Sequence, residues 1–130
     1  MATWQDVRRI ALALPEASEE RSSSGTCSWA VKGKGFVWER PLRKSDLNAL
    51  AANAPTGPIL GVHTADLEMK EVLLKSYRRA CFTTPHFNGY PAVLVCLDKI
   101  SAKDLKDLIV EAWLARAPKR AVKQFLAKQT

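Results

Sequence analysis

The chain has 130 residues and a formal net charge of +7, with 20 Lys and Arg against 13 Asp and Glu. This length predicts a single domain over residues 1–130, and a composition of 47% hydrophobic and 25% charged residues excludes a disordered or collagen-like polypeptide. The longest strongly apolar run covers residues 92–97, too short for a membrane span, and the N-terminus has no signal pattern, so a cytoplasmic protein is expected.

The first third of the chain predicts one helix and one hairpin. Apolar residues recur at helical spacing over about residues 4 to 14, whereas residues 16–25 are polar and rich in serine and predict a mobile surface loop. Two β-rich runs, at 27–31 and 36–40, flank a Lys-Gly-Lys-Gly turn. This arrangement is typical of a β-hairpin.

The middle of the chain predicts a short helix, a strand and a longer helix. Ser45 and Asp46 are expected to cap the short helix, and residues 59–63 form a candidate strand. Thr64 is the expected N-cap of the longer helix. One face of that helix is predicted to carry Met69, Val72, Leu73 and Tyr77.

The last third predicts a second hairpin and two helices. Strands at 80–84 and 92–97 flank a loop, a capping box at Ser101 begins a strongly amphipathic helix, and Pro118 stands at position N1 of the last helix. Hairpins without βαβ alternation favour an α+β domain. We expect a mainly antiparallel sheet, built from two hairpins plus a linking strand and covered by helices.

The sequence shows little that points to catalysis or metal binding. Cys27, Cys81 and Cys96 are odd in number and far apart, which predicts reduced core thiols rather than a disulfide or zinc framework. Together with the two histidines, they show none of the sequence spacings that are typical of metal ligands. The glycines of the first turn are too few for a nucleotide-binding loop. We therefore predict no catalytic residue, metal or cofactor, and no enzyme.

Positive charge is concentrated near the C-terminus, since residues 101–130 carry a net +4 and no acid follows Glu111. The last helix therefore has a basic face, which suits nucleic acid, an anionic membrane or an acidic partner, or is simply solvated. Lys32 and Lys34 flank the first hairpin tip. There they either contact phosphates or keep an exposed turn soluble.

The loop of the second hairpin, residues 86–91, combines two aromatic rings, an imidazole and an amide. Asn88 can read an adenine edge and Tyr90 can stack on a base. The alternative is a loop folded back onto the core, with Phe87 and Tyr90 as anchors and His86 bonded to the backbone.

A family resemblance covers nearly the whole chain. The segment F-T-T-P-H-F-N-G-Y-P at 82–91, followed by Ala112-Trp113 and by A-P-K-R at 117–120, resembles the MmcQ/YjbR family of small bacterial proteins, as do Trp29 and K-G-F at 34–36. The resemblance implies an α+β double-wing fold with a CyaY-like layout, and DNA binding. It supplies no catalytic residue.

Two functions follow as hypotheses. The leading one is a noncatalytic DNA-binding domain that uses both hairpin wings and the basic C-terminal helix, through Lys32, Lys34, Asn88, Tyr90, Arg116, Lys119, Arg120 and Lys123. The alternative is a module that binds an acidic protein or a small aromatic ligand, motivated by the aromatic loop and by the lack of a base-reading helix. Its candidate ligand residues are Trp29, His86 and Tyr90.

Overall fold

The computed structural model describes residues 1–129 and confirms the predicted α+β class. Its six strands form one antiparallel sheet in the order β1-β2-β3-β4-β6-β5. The strands are β1 (Ala17–Arg21), β2 (Cys27–Val31), β3 (Lys34–Glu39), β4 (Ile59–His63), β5 (Cys81–Phe82) and β6 (Ala92–Cys96). The α-helices are α1 (Trp4–Leu12), α2 (Lys44–Leu50), α3 (Leu67–Ser76), α4 (Ala102–Arg116) and α5 (Lys119–Gln129).

The two faces of the sheet are covered differently. The front face packs against α1 and α4 in a large apolar core that includes Leu60, Val62 and Trp113. Alternate residues point the other way, as expected of a strand, and form a smaller cluster on the back face around Leu94 and Phe87. None of the helices within residues 1–129 is long and apolar enough to cross a membrane.

Strand register places several turns at one end of the sheet. Ala17 pairs with Val31, Val31 with Lys34, and His63 with Ala92. The start of β1, the β2–β3 turn, the end of β4 and the β5–β6 loop therefore share this end, which we call the tip end. The Trp113 indole N–H donates to the Pro15 carbonyl at 3.0 Å, which brings the last turns of α4 to the same end.

The prediction of a loop over residues 16–25 is wrong, because Ala17–Arg21 forms the edge strand β1. All its side chains except that of Ala17 are polar or charged, as is common on exposed sheet edges, and this hides the strand signal in the sequence. The strand is held by its ladder with β2 and by the Trp29 indole N–H, which donates to the Glu19 carboxylate at 3.0 Å.

Two predicted helix caps are also corrected. The short helix begins at Lys44, so Ser45 does not cap it; Asp46 instead accepts a hydrogen bond from the Arg43 amide at 2.9 Å. The longer helix is capped by Asp66, whose carboxylate accepts from Met69, and not by Thr64.

One helix face and two helix boundaries also differ from the predictions. Val72 is 50% exposed, because the buried side of α3 is centred on Leu73 and Lys70. The first helix ends at Leu12, two residues earlier than expected, and Pro118 immediately precedes the last helix, which begins at Lys119. Both hairpins, the linking strand and the Ser101 cap of α4 are confirmed.

Candidate functional site

The tip end of the sheet gathers most of the predicted cations. Lys32 Nζ lies 2.9 Å from the Glu16 carboxylate, and Arg120 Nη2 lies 3.6 Å from the same oxygen. The hydrogen bond from Lys32 holds the pKa of Glu16 below its usual value; desolvation opposes this, and the charges of Lys32 and Arg120 reinforce it. Glu16 thus joins the β2–β3 turn to the first turn of α5.

The other tip-end cations have no ion-pair partner within residues 1–129. Lys34, Lys119 and Lys123 are exposed and form no ion pair with any residue in 1–129. Arg116 is only partly exposed, and within the same residues its buried Nε has no hydrogen-bond partner. The tip end therefore presents more positive charge than Glu16 neutralises.

The β5–β6 loop folds back over the back face instead of projecting as a free wing. Phe87 is buried, and its ring centroid lies 6.4 Å from that of Trp38. His86 is exposed and packs edge-on against Phe87 at 5.0 Å. The expectation of an anchored loop holds for Phe87, while Tyr90 keeps 43% of its surface exposed.

A buried lysine ties this loop to α3. Lys70 Nζ donates to the Phe87 carbonyl at 2.6 Å and to the Tyr90 carbonyl at 2.9 Å. Burial lowers the pKa of Lys70, and the nearby Glu71 carboxylate opposes this. The two hydrogen bonds fix both ends of the Phe87–Tyr90 turn.

A buried histidine supports the loop from below. His63 lies between Trp38 and Tyr90, with ring centroids 5.4 Å from each, and its Nε2 is 3.2 Å from the Tyr90 hydroxyl. Burial, reinforced by the charge of Arg116, lowers the pKa of His63. The imidazole is therefore neutral at pH 7.

An ion pair lies behind Phe87. Arg40 Nη2 is 3.0 Å from Asp46 Oδ2, both side chains are buried, and the Arg40 guanidinium carbon is 5.3 Å from the Phe87 ring centroid. Burial acts to raise the pKa of Asp46, but the Arg43 amide and the Arg40 charge outweigh it, so the pKa is lowered. Asp46 stays ionised and pairs with Arg40 at neutral pH.

Some of these residues border an open cleft of about 980 Å³ on the back face, which we call the back-face cleft. Trp38 forms its floor and lies directly on Gly61, where a Cβ atom would come within 2.4 Å of the indole. Its walls are residues 40–43, the β1–β2 turn at Ser24 and Thr26, and the loop from His86 to Tyr90.

The structure divides the predicted site residues between three places. Asn88, Tyr90 and His86 line the back-face cleft. Trp29 is 2% exposed in the front core and cannot contact a ligand, so its assignment as a ligand residue is wrong. Lys32, Lys34, Arg116, Lys119, Arg120 and Lys123 belong to the tip end.

Sequence reasoning missed Trp38, Arg40, Arg43 and Lys70. A strand signal was available for Trp38, since it alternates with the core residue Val37 along β3. The role of Lys70 depends on a contact across 17 residues and had no local signal.

The three cysteines are free and buried, as predicted. Burial raises the pKa of Cys81 to about 12 and also raises that of Cys96. Across residues 1–129, no group of three His, Cys, Asp or Glu side chains is arranged to hold a metal ion.

Comparison with known proteins gives concordant results. The family model described as YjbR matches residues 12–115. Uncharacterized proteins of Mycobacterium bovis and of two Mycobacterium tuberculosis strains are each 48% identical over 130 residues, covering 98% of both chains. The crystal structure of a Deinococcus radiodurans protein with a DUF419 domain matches with a TM-score of 0.64 at 21% identity, over 88% of this chain and 78% of that one. That structure has the same fold.

Proposed function

The chain belongs to the YjbR family, and we propose that this member is a noncatalytic domain that binds duplex DNA with the tip end of its sheet. One observation carries the proposal: Glu16 contacts both Lys32 and Arg120, so the β2–β3 turn and α5 lie side by side. Two basic elements that are distant in sequence thereby form one surface. A surface of this kind attracts a phosphate backbone without reading its sequence.

The residues have different roles in this proposal. Lys34, Lys119 and Lys123 contact phosphates directly, because no carboxylate within residues 1–129 pairs with them. Lys32 and Arg120 contribute less, since they share Glu16. Asn88 and Tyr90 are left out of this surface, because they line the back-face cleft.

No catalysis is expected of this domain. A thiol with a pKa of about 12, as at Cys81, is not a nucleophile at neutral pH. Binding would then be governed by electrostatics, with about four phosphate contacts.

Salt dependence tests the proposal. With about four phosphate contacts, the logarithm of the affinity for a fluorescein-labelled duplex should fall with the logarithm of NaCl concentration with a slope of about −3 to −4. Fluorescence anisotropy at several salt concentrations measures it. A flat dependence, or no binding at low salt and micromolar protein, would show that the tip end is not a DNA-binding surface.

A matched pair of triple variants localises the binding. Lys119→Glu, Arg120→Glu and Lys123→Glu together should abolish binding. The control replaces Lys99, Lys103 and Lys106 by Glu and changes the net charge by the same amount. These lysines are exposed and lie at the opposite end of the sheet or near the start of α4. The control should lose only the part of the affinity due to overall charge. Equal loss in both variants would contradict a localised surface, and thermal melts verify that both fold.

A further inference from the structure

The back-face cleft is a second candidate site that does not depend on the tip-end cations. We propose that it binds a planar aromatic ring that carries an anionic group, with the ring against Trp38 and Tyr90 and the anion at Arg43. Its volume and its mixture of aromatic and polar lining suit a small-molecule site.

The aromatic component of the proposal comes from the floor and one wall. Trp38 and Tyr90 lie on either side of His63 and both line the cleft, so a flat ligand can meet two aromatic surfaces. Trp38 is seated closely on Gly61, which fixes the plane of its indole. Aromatic rings stack on such surfaces largely regardless of their substituents.

The anionic component comes from the balance of charge around the cleft. Arg43 lines it, is exposed and has no ion-pair partner within residues 1–129. The Glu39 carboxylate accepts a hydrogen bond from the Cys27 amide at 3.0 Å, and Asp46 is buried against Arg40. The cleft thus offers a cation, Arg43, with which no acid in the described part of the chain pairs, while the charge of Asp46 is balanced by Arg40.

The walls are held in place before any ligand arrives. Lys70 fixes the Phe87–Tyr90 turn from α3, and the pair of Arg40 with Asp46 supports Phe87 from behind. Separating the two members of a buried ion pair leaves each charge uncompensated, so the pair holds its side chains in this arrangement. A preorganised wall lowers the entropic cost of binding.

A ligand with an aromatic ring and an anionic group could come from two sources. One is a free nucleotide or aromatic acid, and the other is an unpaired base of a nucleic-acid strand. AMP, indole-3-acetate and a short oligothymidylate are therefore titrated separately, at a salt concentration high enough to suppress backbone contacts. The readout is the NMR resonance of the Trp38 indole N–H, assigned with Trp38→Phe. Binding of AMP or indole-3-acetate indicates a free small molecule, and binding of the oligonucleotide alone indicates a strand.

Variants of the walls decide whether the cleft is responsible. Arg43→Gln and Tyr90→Leu should each weaken binding of the responsive probe by about tenfold or more, whereas Tyr90→Phe, which keeps the ring, should retain it. Arg79→Gln, at an exposed position just before β5 that belongs to neither the cleft nor the tip end, is the matched control and should leave binding unchanged.

Two outcomes would overturn the proposal. One is that no probe shifts the Trp38 resonance at millimolar concentration. The other is that binding survives both Arg43→Gln and Tyr90→Leu. Neither outcome bears on duplex binding at the tip end, because that binding is measured with different variants and at low salt.

Discussion

Replacing Lys70 by Met should loosen the β5–β6 loop and destabilise the whole domain. Met retains most of the length and apolar volume of the lysine side chain but removes its ammonium group. The Phe87 and Tyr90 carbonyls, at 2.6 and 2.9 Å from Nζ, then lose their donor. The substitution therefore isolates the hydrogen bonds from the packing of α3.

The size of the effect follows from these two bonds. A hydrogen bond to a charged group contributes about 1.5–3 kcal/mol, and removing the buried ammonium recovers part of its desolvation cost. We expect a net loss of about 2–4 kcal/mol in the free energy of unfolding. For a domain of this size that corresponds to a fall in Tm on the order of 10 °C.

Thermal and urea denaturation measure the global loss, and amide hydrogen exchange at Asn88 and Tyr90 measures the local one. Lys75→Met, an exposed position on the same helix, is the control and should change stability by less than about 0.5 kcal/mol. A loss below about 1 kcal/mol in Lys70→Met, or unchanged exchange in the loop, would refute the view that Lys70 fixes the cleft wall.

Three further predictions concern the same face of the sheet. Gly61→Ala should displace the Trp38 indole, lower stability by about 1–3 kcal/mol and shift tryptophan fluorescence; an unchanged spectrum would contradict the close seating. Asp46→Asn should cost about 3–5 kcal/mol in urea unfolding because it leaves Arg40 buried without its counter-charge, and a neutral result would mean that the pair is dispensable. The pKa of His63 is lowered in the folded state, so the unfolded chain binds more protons and stability should fall as the pH drops below about 6.5. His63→Gln should flatten this acid slope in Tm, and an identical slope would assign it to other groups.

Local patterns were sufficient to predict most of the architecture. Both hairpins rest on β-rich runs around glycine-containing turns, and α4 on a capping box followed by apolar residues at helical spacing. These signals act over a few residues. They predict the folded structure correctly because the core buries the same apolar residues that the local patterns mark. The edge strand β1 escaped detection because its side chains after Ala17 are all polar or charged and its stability comes from pairing with β2.

The candidate cleft could not be predicted in the same way. Trp29 and Trp38 have similar local surroundings, but register places Trp29 against Val37 in the front core and Trp38 on the opposite face. Which tryptophan is available to a ligand is therefore decided by the sheet and its coverage. Lys70 is a comparable case, since its partners are the backbone carbonyls of a distant loop.

The distribution of buried polar groups distinguishes the two faces. The front core is apolar, whereas the buried polar side chains found within residues 1–129 surround the β5–β6 loop or the β4 end that supports it. Two of them contact the loop through their backbone. The Thr64 amide donates to the Pro91 carbonyl, and the Thr84 carbonyl accepts from the Phe87 amide. The set consists of Arg40, Asp46, His63, Thr64, Lys70 and Thr84.

Replacing both partners of a buried ion pair together by apolar side chains of the same volume is often neutral or stabilising. Buried polar and charged side chains in place of apolar ones therefore indicate a place where the geometry of the fold matters more than its stability. In this domain that place is the wall of the back-face cleft. The tip end differs physically, because its lysines and arginines are mostly exposed and require no internal support to attract a polyanion.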